Sequence, residues 1–293
     1  MSLSKPPRYF NPSTGSGTAL MYGFLFKKNF CDGWDNLFSV VITNVLFLIS
    51  MVGIILLSSF ITSHLGENTT NMSFYLIQSG ILFLGIFIFN IFDFAYGELA
   101  QKIANFEGIH LLDFFKRIPG VLLDAFLFSL LIIVIVFIST YSLNFYIIQQ
   151  KSMIGLFVGA LLFWVDIFIA LSLQWFVPIR STFHNKFFKC LKKCFIIFMD
   201  NTGFSIIMAL YHLLLIALSV LPIGFFPSLA GVSISKHNAF RLRMYKYDYL
   251  EEHPELKTPK ERRKIPWEEL IFDDREALGP RKLRSFLFPW KEE

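Results

Sequence analysis

Basic residues are distributed along this 293-residue chain in a way that constrains it to a membrane of fixed orientation. Long apolar stretches carry none. Laid out as crossing helices, those stretches leave 26 of the 27 Lys and Arg residues on one side. Lys5, Arg8, Lys27 and Lys28 precede the first stretch, and Lys102, Lys116 and Arg117 follow the second. Arg180, Lys186, Lys189, Lys192 and Lys193 precede the fifth, and fourteen more follow residue 235. Lys151 alone falls on the other side. The positive-inside rule then places both termini in the cytoplasm.

A bilayer core about 30 Å thick needs about 20 apolar residues per helix. Residues 36–61, 73–98, 120–142, 153–178 and 201–221 satisfy this, and 222–244 does so weakly because it carries Lys236, His237 and Arg241. Two cytoplasmic termini require an even number of crossings, which favours the sixth; four crossings with two re-entrant pieces is the alternative. Composition agrees. A soluble chain is roughly 45–50% apolar and about 25% charged, whereas this one is 54% and 17%, with 36 Phe. Its formal charge of +5 follows from the loop bias and is no nucleic-acid signature. The first 24 residues lack the basic-then-apolar start of a signal peptide, so the first internal helix is expected to direct membrane entry.

The expected fold is therefore all-α, a polytopic transmembrane bundle of about six spans in three hairpins with amphipathic interfacial helices. An N-terminal segment 1–35, a membrane domain 36–252 and a tail 253–293 follow from it. Short cytoplasmic stretches lead into the hairpins at 24–34, 109–117 and 185–199. In the third, Lys186, Lys189 and Lys193 share one helical face, with Phe187, Phe188, Leu191, Phe195 and Phe198 opposite. That pattern suits a helix in the headgroup plane or the cytoplasmic extension of a bundle helix.

Ionisable groups inside spans are the default functional candidates, because each is costly at the helix centre. Asp166 in the fourth span and His212 in the fifth both come near mid-depth. They form a proton relay, a polar ligand site or, as the commoner use, buried hydrogen bonds that set helix register. Asp93, Glu98 and Asp124 lie nearer cytoplasmic helix ends, where Lys102, Lys116 and Arg117 are their expected partners. Asn44, Gln78, Asn90 and Gln174 are candidates for interhelical hydrogen bonds. Asp200 and Asn201 look like the N-cap of the fifth span.

No nucleotide, zinc-protease or serine-hydrolase motif is present, so no catalytic residue, cofactor or metal is expected. Cys31, Cys190 and Cys194 all fall on the reducing side and read as small apolar residues. In the tail, Pro266, Glu268, Glu269 and Gly279-Pro280 outline a short helix. Beyond it Arg281 and Arg284 alternate with Phe286, Phe288 and Trp290, a segment expected to dock on protein or on the membrane surface.

The run from Gln174 to Glu252 resembles the YesL-like bacterial membrane proteins, also called the DUF624 family. The resemblance rests on QWFVPIR, MDNTGF, LPIGFFPSLAG and FRLRMYKYDYLEE, together with the opening KKNFCDGWDNLFSVVITNVLFLIS. It implies a bacterial inner-membrane protein, often associated with carbohydrate uptake, acting as an accessory or scaffold beside a transporter. The family has no established biochemical role and brings no site residues with it. The partners expected are the lipid bilayer and a protein held by the tail, with oligomeric state open. A secondary transporter or channel using Asp166 and His212 is the alternative.

Topology is directly testable. Reporter fusions should give extracytoplasmic signals at Glu67 and Lys151 and a cytoplasmic one at Glu293. An extracytoplasmic signal at Glu293 would overturn the six-crossing count.

Overall fold

The computed structural model describes residues 17–65, 72–150, 152–258, 261–262 and 264–281. Arg284, Phe286, Phe288 and Trp290 of the expected docking segment lie outside the described residues, and Arg281 is exposed. Helix is the regular structure throughout the described residues. The elements are α1 (Gly17–Asp35), α2 (Leu37–Leu65), α3 (Met72–Ala104) and α4 (Leu111–Leu143), which runs into a π-helical turn at Asn144–Gln149. Then come α5 (Met153–Leu173), α6 (Phe176–Phe183), α7 (Phe187–Asp200), α8 (Thr202–Ser219) and α9 (Ser228–Glu252), followed by α10 (Trp267–Leu270) and α11 (Phe272–Leu278). The chain divides into two units, residues 29–244 and residues 1–28 with 245–293, and the divisions fall inside α1 and α9.

Five helical segments are long and apolar enough to cross a membrane: Leu37–His64, Met72–Ala104, Leu111–Gln149, Met153–Phe183 and Thr202–Ser219. Large apolar side chains such as Phe38, Phe60, Phe137, Met153 and Leu161 are exposed along them. Belts of that kind are not left facing water, and a helix satisfies all its backbone groups internally, as hydrocarbon requires. The chain is a multi-pass membrane protein.

The sixth apolar segment takes a different form. Residues 220–227 make a turn, and α9 starts only at Ser228. From Leu229 to Arg243 every residue except Gly231, Lys236 and Arg241 is buried. A helix buried all round is enclosed by protein, so its outer surface need not be apolar. That is why α9 is not among the five lipid-compatible segments and why its hydropathy is weak. Its first turn is held by α2. Asn44 Nδ2 donates to the carbonyls of Phe225 and Pro227, each at 2.9 Å, and Asn44 Oδ1 accepts from Ala230 N at 3.0 Å.

The other amides also bridge helices. Gln78 accepts from Ser58 and donates to Thr62, Asn90 donates to Ser129, and Gln174 donates to the Ser205 carbonyl. Asn201 sits at the N-cap of α8 but makes no side-chain cap bond. Its Oδ1 instead accepts from Arg243 at 3.3 Å, which takes up the capping oxygen. Gly97 lets α3 approach α6: a Cβ there would lie 2.5 Å from Val177 Cγ1. The aromatic-Pro turn is anchored by Trp175, fully buried, whose Nε1 donates to Ser205 Oγ at 3.0 Å.

The lead-in stretches differ in form. The second is no separate element, because α4 starts at Leu111 and runs on into the span. The third is a helix of its own, α7, with three faces. Cys190, Cys194, Ile197 and Phe198 are buried, Phe188, Ile196 and Met199 are exposed apolar, and the lysines lie between. Phe198 therefore belongs to the buried stripe and not to the lipid-facing edge. The cysteines are free thiols, and burial raises the pKa of both Cys190 and Cys194.

In the smaller unit, Pro266 stands at the N-cap of α10, and Gly279 closes α11 with φ of +74°. This is the short helical segment that the proline and glycine outline. Gly17 lies against the Trp267 ring, Lys27 Nζ donates to the Gly279 carbonyl at 3.1 Å, and Tyr245 Oη donates to Asp274 at 3.0 Å. The start of α1 and the tail helices thus form one body, where the sequence had set 1–35 and 253–293 apart.

Replacing Asn44 removes three hydrogen bonds and strands buried backbone groups. Asn44→Ala should therefore cost about 2–4 kcal/mol, measured by unfolding in detergent. A loss below about 0.5 kcal/mol would mean that other groups satisfy this turn.

Candidate functional site: a buried ion pair between two cavities

Because α9 is enclosed, each of its polar side chains needs a partner on another helix. The partners are found rung by rung, with the Ser233 hydroxyl the exception. Ser235 meets His212 Nε2 of α8 and accepts from Asn29 of α1, both at 3.2 Å. His237 Nε2 meets Ser181 of α6 at 2.9 Å, and Asn238 donates to Asn29 at 3.0 Å and to Asp32 at 2.7 Å. Arg241 bonds Asn105, and Arg243 lies over the Phe204 ring, 3.8 Å from its centroid.

One rung that carries opposite charges is Lys236–Asp93. Lys236 Nζ lies 3.3 Å from Asp93 Oδ2, and the two side chains are 17% and 7% exposed. This corrects two expectations. Asp93 pairs with α9, not with Lys102, Lys116 or Arg117, because α9 lies directly beside this stretch of α3. Lys236, counted with the cytoplasmic basic residues, is an internal counter-ion. Asp124 likewise pairs with Arg180 of α6, at 2.8 Å. Glu98 does reach Arg117, at 3.9 Å, and also His184 at 3.9 Å. These three groups, with Asp124 and Arg180, line a small cavity of about 170 Å³.

Two larger cavities meet at the ion pair. The first, about 480 Å³, lies among α3, α4, α5 and α9 and is lined by Asn90, Ser139, Thr140 and Asp166. The second, about 470 Å³, is lined by His212, Ser219 and Ser228. Phe89, Asp93, Ala170, Gln174 and Lys236 line both. Asp166 and His212 are therefore not brought together. Asp166 Oδ1 accepts from Ser139 Oγ at 2.6 Å in one cavity, and His212 bonds Ser235 beside the other. Asp93, read from sequence as a helix-end group, stands between them. Lys236 was visible in the sequence as the flaw in the sixth segment. A basic residue inside an otherwise span-like stretch is the signal that marks it.

Comparison with protein-family models, with curated proteins and with solved structures returned no match.

Removing one partner of a buried ion pair leaves an uncompensated charge, typically costing about 3–5 kcal/mol. Lys236→Met should destabilise the bundle by about that much. Adding Asp93→Leu should restore most of the loss. A double variant no more stable than Lys236→Met would show that the pair is not the unit that matters.

Proposed function

We propose that this is a non-enzymatic multi-pass protein of a bacterial inner membrane that admits a small solute between its helices. In this reading it is a carrier or solute-binding component, with both termini cytoplasmic and α9 as a sixth, protein-enclosed crossing. One observation carries the proposal: two cavities of about 480 and 470 Å³ meet at a single buried ion pair. Bundles that serve only as scaffolds bury their polar groups in close packing, and volumes of roughly 300–1,000 Å³ are those that hold small ligands. Ionisable residues inside spans mark solute or ion paths. The Lys236–Asp93 pair occupies the point through which a solute passing between the cavities would move. The resemblance to YesL-like proteins supports a place beside a carbohydrate-uptake system.

A second reading, an accessory protein recruiting a partner through its tail, is favoured by the smaller unit. There α1, α10 and α11 leave a groove of about 840 Å³ containing Phe24, Lys27, Glu268 and Phe272.

Aqueous access separates the two. Ala170 lines both cavities, whereas Ile138 on α4 is 58% exposed on the apolar surface. The native cysteines are all buried, Cys190 and Cys194 with raised pKa values, and should stay silent. In membrane vesicles, a membrane-impermeant thiol reagent should modify Ala170→Cys and leave Ile138→Cys untouched. Equal labelling, or none at Ala170→Cys, would remove the solute path and leave the accessory reading.

A further inference from the structure

We infer that the first cavity takes a small organic cation, an ammonium with a short apolar body, and that Asp166 is its counter-charge. The inference rests on the cavity being a solute site. The charge arithmetic comes first. Two carboxylates, Asp93 and Asp166, and one ammonium, Lys236, line this cavity. Lys236 is engaged with Asp93 at 3.3 Å. Asp166 has the Ser139 hydroxyl at 2.6 Å, and among the described residues no basic group lies within ion-pair distance of it. A carboxylate placed in a span without a cation is the costly arrangement that a cationic ligand relieves.

Hydrogen bonding sets the other end of the cavity apart. Asn90 is fully buried, and its Nδ2 donates to Ser129 Oγ, whose own proton goes to the Ala125 carbonyl. The amide orientation is thereby set, and Oδ1 is left without a partner. Gln174 Nε2 faces two carbonyls, Leu171 and Ser205, so its Oε1 is likewise the unpartnered atom. Among the described residues lining this cavity, the buried side-chain atoms that lack partners are therefore acceptors, and they lie at the end away from Asp166.

Spacing sets the shape of the occupant. Ser129 marks the level of Asn90, and Ser139 marks that of Asp166. Ten residues of α4 separate them, roughly 15 Å at 1.5 Å per residue. Ile132, Ile135 and Val136 line the interval with Ile169 of α5. The cationic head therefore belongs at Asp166 and Ser139, with its apolar body along these side chains. The positive Lys236 stands at the far end. A bare metal ion is poorly matched, since such ions gather about six or more oxygens and the middle of the cavity is hydrocarbon.

The test uses full-length protein in lipid nanodiscs, with n-butylammonium chloride as probe and butan-1-ol and sodium chloride as controls. Butylammonium should give a saturable rise in unfolding temperature that neither control gives. Asp166→Asn, whose amide can keep Ser139, should weaken the apparent affinity by about tenfold or more, the loss expected for a desolvated charge pair. Val136→Phe leaves Asp166 in place but fills the apolar interval, and it should abolish the response as well. No saturable shift, an undiminished response in either variant, or an equal effect of butanol or sodium would overturn the inference. If Ala170→Cys is labelled while butylammonium fails, the cation is discarded and the solute path stands. Binding with an unlabelled Ala170→Cys keeps the site and discards the path.

Discussion

Enclosure of α9 by protein is the constraint from which the rest of the larger unit follows. A helix surrounded on every side cannot turn its polar groups to water, so Ser235, Lys236, His237, Asn238 and Arg243 each reach a partner on another helix. Those partners come from α1, α3, α6 and α8, elements far apart in sequence. Each pairing specifies where one neighbouring helix sits and at what height. Register is thereby set with a precision that contacts among Leu, Ile and Phe do not provide, because apolar side chains inside a bilayer gain no hydrophobic driving force over contact with lipid.

The same arrangement divides labour among the helices. α2, α3, α4, α5 and α8 present apolar surface outward and can be read as lipid-facing from composition. α9 gives up that requirement and carries the charge instead. A lysine at Lys236 is tolerable only because Asp93 on α3 lies opposite. Short residues clear the way for close approach, as at Gly97, where even a methyl group would meet Val177. The cavities on either side of the ion pair are lined largely by aliphatic and aromatic side chains.

Asp166 is the exception to the pattern of matched rungs. Asp93, Asp124 and Arg180 in the bundle interior each meet an opposite charge. Asp166 meets a hydroxyl. Its position in the middle of a span, beside open volume, separates it from residues whose purpose is to hold two helices together.

The sequence by itself determined the class of the protein and much of its layout. Apolar length located five crossing helices, because lipid imposes a composition that can be read without knowing the neighbours. The proline and glycine around α10 and α11 marked that segment through local backbone preference alone. The intramembrane positions of Asp166 and His212 were legible for the same reason, and so were Asn44, Gln78, Asn90 and Gln174 as bridging amides. Partnership was not legible. Asp93 with Lys236, Asp124 with Arg180, and the separation of Asp166 from His212 depend on which helices become neighbours, the two pairings joining residues 143 and 56 positions apart. The weak hydropathy of the last bundle helix could be understood only once its surroundings were known. Hydropathy measures fitness for lipid, and a helix that touches protein on all sides is released from that test.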